Sequence, residues 1–392
     1  MCGIAGILSP KKKIDLELLK RMTDAIAHRG PDGEGAWVDG DSKVGLGHRR
    51  LAIIDLTETG KQPMLYKNGR YVLTFNGEIY NYIELRQQLE ARGHTFVSTS
   101  DTEVLLALFH EKKERALDDL DGMFAIAIWD NVEQRLFIAR DRFGEKPFYF
   151  AVQDGAFYFA SEMKALWAGG VARDVSRPML FNYLSRGFTY DPSDLSATFF
   201  DGIYKLKAGC FAFLTPDDLT VRQQRHWNID PNIIDTDISE EIAIAKFRQL
   251  FDLSVARRLR SEVPVGSSLS GGLDSSLIVC TIDRLTKKTG LHQATFSARF
   301  PGFAKDEGQY MQAVIDATNV EPHFVFPDEQ GLIDDLEKLC HHQEEPFGTA
   351  SIYAQYCVMR LAKENDVTVL LDGQGADELL AGYHTYFDHY FR

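Results

Sequence analysis

The stretch VPVGSSLSGGLDSS (residues 263–276) reads as a strand, a glycine loop and the first turn of a helix in immediate succession. Val263 to Leu269 make a short apolar run. The segment from Ser270 to Ser276 supplies the loop, and Leu277, Ile278 and Ile282 continue at helical spacing. Glycines let a backbone approach phosphates closely, and a helix N-terminus offers N–H groups and the positive end of a dipole to an anion. No GK[ST] follows, so the loop is not of the Walker A type. Taken alone, the string also fits a Gly-Gly turn with a Ser or Asp helix cap; the strand before it and the helix after it favour a ligand loop.

From Ser239 onward the sequence alternates helix with short apolar strand, the pattern of a parallel sheet with crossover helices. Strands are predicted at Val263 to Leu269, Ala294 to Ala298, His323 to Phe326 and Val367 to Leu371, all apolar enough to be covered on both faces. Helices are predicted near Asp306 to Ala317 and Asp328 to His341. Up to about Ala160 the pattern is instead layered α+β. Strands are expected at Gly3 to Leu8, Val44 to His48, Tyr71 to Phe75, Met123 to Trp129, Arg135 to Ala139 and Phe148 to Val152. Helices are expected near Leu16 to Ala27, Ile83 to Ala91 and Thr102 to Glu111. Between Arg173 and Pro231 four prolines interrupt any period, which suggests a connecting region. The expected division is 1–210, a linker over 211–238, and 239–392.

The 392 residues, 44% hydrophobic, suffice for two well-buried cores. A formal net charge of -14 with no basic patch argues against nucleic acid. No apolar run is long enough to span a bilayer, and the run from Ile4 to Leu8 is too short for a signal-peptide core. Five scattered cysteines, Cys2, Cys210, Cys280, Cys340 and Cys357, show neither metal-ligand spacing nor an even framework, so a reducing, cytoplasmic setting is expected. A homodimer is compatible with this reading.

The second residue is a cysteine. Loss of the initiator Met would leave Cys2 with a thiol and a free α-amine on one residue. An amine of unperturbed pKa about 7.7 to 8.0 can take the thiol proton near neutral pH. Alone, Cys2 also reads as a small apolar strand residue. Downstream lie HRGPDG (28–33), GHRRLAIID (47–55), FNGEIYN (75–81) and SDTE (100–103). With these motifs in this order, the first 165 or so residues resemble the glutaminase domain of class II glutamine amidotransferases, an N-terminal-nucleophile fold with two sheets sandwiched between helices (αββα). The resemblance implies that Cys2 attacks the glutamine amide and that the Asn76 side chain and Gly77 N–H hold the oxyanion. It also implies that Arg50 pairs with the substrate α-carboxylate while Glu78 and Asp101 receive its α-ammonium.

The SGGLDS loop resembles the pyrophosphate loop of N-type ATP pyrophosphatases, an α/β parallel-sheet domain that binds ATP with Mg2+ and adenylates a carboxylate. By that resemblance Leu269, Ser270, Gly271, Gly272, Asp274, Ser275, Ala298, Asp372 and Gly373 bind ATP, and Asp274 and Asp377 ligate Mg2+. The pairing of both domains resembles the glutamine-hydrolysing asparagine synthetase family, with glutamine and aspartate as substrates and ammonia passed to an acyl-adenylate. Two departures stand out. Gln374 occupies a position where well-studied family members carry glutamate, which leaves open an acceptor carboxylate other than aspartate. The chain also stops at Arg392, before the further helices and downstream lysine that the family implies, so a fragment or shortened product is expected. A glutaminase alone, or a glutamine-sensing protein, is the remaining alternative.

Overall fold

The protein is described by a computed structural model over residues 1–287 and 293–391. It divides into two compact units, Met1–Ile234 with Gln343–Gly348, and Asp235–His342 with Thr349–Arg392.

In the first unit the strands are β1 (Gly3–Leu8), β2 (Gly33–Val38), β3 (Val44–Arg50), β4 (Met64–Tyr66), β5 (Tyr71–Ile79), β6 (Gly122–Asp130), β7 (Arg135–Arg140), β8 (Tyr149–Gln153), β9 (Ala156–Ala160), β10 (Ile203–Lys205), β11 (Cys210–Leu214) and β12 (Gln224–Arg225). The helices are α1 (Leu16–Asp24), α2 (Tyr82–Glu90), α3 (Asp101–Lys112), α4 (Met163–Ala168) and α5 (Arg177–Arg186). Two antiparallel sheets result, in the orders β10-β8-β9-β1-β3-β2 and β12-β11-β7-β6-β5-β4.

Strand alternation explains the layering, because successive side chains point to opposite faces. Ile4 and Leu8 of β1 meet Val72, Ala125, Ala127 and Trp129 of the other sheet in one buried cluster, so the sheets pack face to face. Ala5 and Ile7 point the other way, onto Met22, Met163 and Leu166 of α1 and α4. Tyr71, Leu73 and Phe75 likewise turn outward onto Leu85, Leu89 and the run Val104 to Phe109 of α2 and α3. The layers are therefore αββα, as the resemblance implied.

The segment expected to be a linker, 211–238, is not one. β11 pairs with β7 and β12 with β11, and Phe211 packs in the same cluster as Phe137. Pro216 and Pro231, inside this segment, obscured the short apolar run CFAFL of β11, and the first unit extends to Ile234. Helix α1 also ends at Asp24, and a separate 3-10 turn covers Ala27–Arg29.

The second unit comprises α6 (Glu240–Arg258), β13 (Val265–Ser268), α7 (Leu273–Thr286), β14 (Gln293–Ala298), α8 (Gly308–Ala317), β15 (Val320–Val325), α9 (Glu329–Gln343), α10 (Ser351–Glu364), β16 (Val369–Leu371), α11 (Ala376–Leu380) and α12 (Thr385–Tyr390). Its strands form a parallel sheet, β15-β14-β13-β16. Apolar clusters lie on both faces: Val255, Ile282 and Leu371 on one, Phe296, Val358 and Ala362 on the other. β15 begins three residues before the predicted His323 and contains Pro322. It lies at the sheet edge, where a residue without an N–H is tolerated.

Candidate functional site

Cys2 immediately precedes β1, whose first residue pairs with Arg49 of β3. That register carries the thiol to the chain leaving β3: Cys2 Sγ accepts from the Leu51 N–H at 3.4 Å and faces the Leu51 carbonyl oxygen at 3.5 Å. Burial raises the thiol pKa, opposed by the Leu51 hydrogen bond and by the cations Lys146 and Arg29. The N-terminal amine, here that of Met1, is lowered to about 5, mainly by burial, with Arg29 and Lys146 adding to the effect. An amine in this enclosure is uncharged at neutral pH and so has a lone pair to accept a proton. In a chain lacking Met1 the amine belongs to Cys2, one residue along.

β5 reaches the same end of the sandwich. The Thr74 hydroxyl donates to the Gly47 carbonyl at 3.0 Å, and His48 Nε2 bonds the Phe75 carbonyl at 3.1 Å. Burial lowers the His48 pKa to about 3, so the ring is neutral and Nε2 carries the proton. The next residue, Asn76, is 1% exposed, and both atoms of its side-chain amide lack a hydrogen-bond partner among the described residues. Such a group is costly to bury unless something completes it.

Glu78 shares a strand face with Asn76, is buried, and interacts electrostatically with Lys146 and the N-terminal amine. The N–H groups of Phe75, Gly77 and Ile79 share one edge of β5 by alternation. Gln62 Oε1 accepts the first at 2.6 Å and Asp101 Oδ2 the last at 2.9 Å, so the Gly77 N–H lies between them. A Cβ on Gly77 would sit 2.1 Å from the Met123 carbonyl oxygen, so this close approach of β5 and β6 requires glycine. Asp101 opens α3, and burial pushes its carboxyl up to about 6 despite the bonds from Ile79, Ser100 and Thr102. Arg50 donates to the carbonyls of Thr57 and Asp55.

Behind Cys2 lies a buried chain of charges. Arg29 Nε donates to the Cys2 carbonyl at 2.8 Å, and its Nη1 donates to Glu162 Oε1 at 2.8 Å. His28 Nε2 lies 3.0 Å from the same oxygen. Lys164 Nζ bridges Glu162 at 2.5 Å and Glu344 at 2.9 Å. Burial acts to raise the Glu162 pKa, but His28, Arg29 and Lys164 together hold it well below the usual carboxylate range.

In the second unit, Leu269, Ala298 and Asp372 follow or end the adjacent parallel strands β13, β14 and β16, at the carboxyl edge where ligands of open α/β sheets bind. Gly271 has φ +88°, and a Cβ there would lie 2.8 Å from the Glu307 carbonyl oxygen. Gly272 is the N-cap of α7, so no side chain caps that helix end and its first-turn N–H groups are left for a ligand. Ser270 and Ser275 bond each other through their hydroxyls at 3.0 Å, and Ser276 bonds the Gly272 carbonyl. Gly373 lies against this turn, where a Cβ would be 3.0 Å from the Ser275 nitrogen. A cavity of about 240 Å³ opens beside the loop, walled by Leu269, Ser270, Phe296, Ala298, Lys305 and Gln355. Asp372 accepts from the Gln355 amide and the Gln374 N–H. Asp274 and Asp377 lie in the first turns of α7 and α11, and the Gln374 side chain is exposed.

Residues 1–227 match the glutamine amidotransferase domain family and residues 246–392 the asparagine synthase family. The chain is 39% identical over 394 residues to the glutamine-hydrolysing asparagine synthetase 1 of Bacillus subtilis, covering 98% of this chain and 59% of that protein. It is 34% identical over 409 residues to a putative glutamine-hydrolysing asparagine synthetase of Methanocaldococcus jannaschii, covering 100% of this chain and 77% of that protein. The chain belongs to the glutamine-hydrolysing asparagine synthetase family. It spans about three fifths of the length of the Bacillus subtilis member.

Within this family frame, the structure groups Cys2, Asn76, Gly77 and Glu78 at one end of the sandwich, and the glycine loop, Ala298, Asp372 and Gly373 at one sheet edge. Sequence reasoning missed Leu51, Arg29, Glu162 and Lys146 around the thiol, and Lys305 in the cavity wall. SEMKAL (161–166) directly after an apolar strand was the available signal, because a Glu and a Lys that close to a buried run need partners.

Proposed function

We propose that the first unit hydrolyses glutamine and the second uses ATP to activate a carboxylate, aspartate being the acceptor favoured by the family, so that the whole makes asparagine. The observation that carries this reading is the buried Asn76 amide, with neither polar atom hydrogen-bonded among the described residues, at the end of the sandwich where Cys2 is held. An amide kept dry and unengaged suits a negative charge that exists only during reaction.

In this account Cys2 Sγ attacks the side-chain carbonyl carbon of glutamine while the α-amine takes the thiol proton. The oxyanion accepts from the Asn76 amide N–H and the Gly77 N–H. The amine then returns the proton to the departing nitrogen, releasing ammonia, and water hydrolyses the remaining thioester to glutamate. Arg50 holds the α-carboxylate with the donors left over from its two carbonyl contacts, and Glu78 and Asp101 take the α-ammonium.

For the second unit, the glycine loop and the first turn of α7 fit the phosphates of ATP. Leu269, Ser270 and Ala298 line the nucleotide cavity, while Gly272, Ser275, Asp372 and Gly373 surround its mouth. Magnesium bound with phosphates takes only one or two carboxylates, and Asp274 and Asp377 are proposed for that role; the ion supplies charge neutralisation. Gln374 cannot act as a base, so any proton transfer at the acceptor falls to another group or to water. The cytoplasm is the proposed setting; among the described residues no helix is long and apolar enough to cross a membrane.

The test is twofold. Glutamate release from glutamine should occur without ATP, and pyrophosphate release from ATP should require aspartate. Release of pyrophosphate with a different carboxylate, and none with aspartate, would replace the acceptor.

A pH dependence follows from Asp101. Because burial pushes its carboxyl up to about 6, acidification through that value removes the anion facing the substrate ammonium. The kcat/KM for glutamine should therefore fall by up to about tenfold per pH unit below pH 6. In Asp101→Asn the profile should start lower and lose that step; an unchanged step in the variant would assign the titration to another group.

A further inference from the structure

The segment Gln343–Gly348 runs from the last residue of α9 toward α10, yet it belongs to the first unit. Its contacts there are specific. Glu344 Oε2 accepts from the Met163 N–H at 2.8 Å and Oε1 from the Lys164 N–H at 2.7 Å, at the start of α4, where no residue of the helix itself provides a side-chain cap. Oε1 also meets Lys164 Nζ at 2.9 Å. The Glu344 side chain is 3% exposed, and its backbone is held at φ +62°. A bulky residue persists in that left-handed region only where its surroundings over-determine it. Glu345 adds a second tie, accepting from the Phe199 N–H at 2.9 Å and pairing with Lys205 at 2.7 Å.

The chain of contacts runs from Glu344 to Lys164, Glu162, Arg29 and the Cys2 carbonyl, every link within hydrogen-bond distance. Two cations, Lys164 and Arg29, and two carboxylates, Glu344 and Glu162, alternate along it, so these four are charge-balanced. Glu162 is the pivot, because it holds Arg29 on one oxygen and Lys164 on the other. If Glu344 loses its charge, Lys164 keeps one anionic partner in place of two and competes harder with Arg29 for Glu162. In a low-dielectric site that competition is strong. Arg29 is the group that fixes the Cys2 carbonyl, and so the direction in which the thiol and the adjoining amine point.

We propose that Glu344 is a positioning residue for Cys2, acting through Lys164, Glu162 and Arg29. The inference rests on the reading of Cys2 as the glutaminase nucleophile. Among the described residues the Glu344 side chain bonds Met163 and Lys164 and none of the residues proposed to hold glutamine, so its loss acts on the attack geometry and spares glutamine binding.

The test uses the full chain and three proteins: parent, Glu344→Gln, and Lys164→Met with Glu344→Gln together. Glutamate release is followed at varied glutamine concentration, and thermal unfolding is recorded for each. Glu344→Gln should lower kcat by roughly tenfold or more, with KM for glutamine within about twofold of the parent, since small misalignments of a nucleophile are costly. The double variant removes the unbalanced lysine and returns Glu162 to Arg29 and His28. Its kcat should recover to within about threefold of the parent, a non-additivity expected only of residues in one network. A merely structural clasp predicts the opposite, a double variant as slow as or slower than Glu344→Gln, tracking its unfolding temperature; that result overturns the proposal. A Glu344→Gln enzyme with parental kcat overturns it too, while leaving the glutaminase reading intact. A parent protein that releases no glutamate removes both.

Discussion

Cys2→Ala should abolish glutamine hydrolysis, lowering glutamate release by more than about 10⁴-fold, because a nucleophile that acts as one unit with its base is not replaced by the rest of the site. The thiol is held by the Leu51 N–H and lies within the electrostatic reach of Lys146, Arg29 and the N-terminal amine. The other four cysteines offer no substitute, since Cys210 and Cys357 are buried structural residues and Cys280 and Cys340 are exposed. Nucleotide binding should be unaffected, because the parallel sheet and its glycine loop have apolar cores of their own. The check is paired: glutamate release, and titration with a fluorescent ATP analogue. Loss of both in the variant would point to misfolding.

The second large effect is expected at Asn76. Replacement by Ala should lower kcat by about 10²- to 10³-fold, the usual cost of removing one oxyanion donor, with little change in KM. Stability should move the other way. The Asn76 amide makes no hydrogen bond among the described residues while being 1% exposed, so removing it relieves an unsatisfied polar group. Thermal unfolding of Asn76→Ala should therefore occur at or above the parental temperature. A residue kept at a cost to the fold and needed for turnover is a functional residue. A variant that unfolds earlier and turns over normally would make Asn76 an ordinary core amide.

Much of the candidate site was legible in the sequence because its motifs lie on, or directly after, apolar strand runs. FNG ends an apolar run, and alternation alone puts Asn76 and Glu78 on one face with the Gly77 N–H on the edge between. SGGLDS was legible for a similar reason, since a strand, two glycines and an apolar helix leave few conformations open. What was not legible depended on long-range pairing. The strands β9 to β12 are short, and those after Arg173 lie among prolines, so local pattern could not separate β11 from a linker; only its partner β7 makes it a strand. Likewise, Glu344 and Lys164 are 180 residues apart and become meaningful only when the fold brings them together. Arg29 lay inside a motif already singled out, but its partner, the Cys2 carbonyl, is a backbone atom that no side-chain pattern can name.

In the proposed mechanism Cys2 becomes reactive when it is the first residue, its own amine serving as the base in the enclosure that lowers the Met1 amine to about 5. The direct measurement is the initial rate of glutamate release against the fraction of chains beginning at Cys2, read by intact mass on preparations with differing extents of Met1 removal. The rate should rise in proportion to that fraction and extrapolate to zero for chains that keep Met1. Full-rate hydrolysis by protein in which every chain retains Met1 would contradict the account.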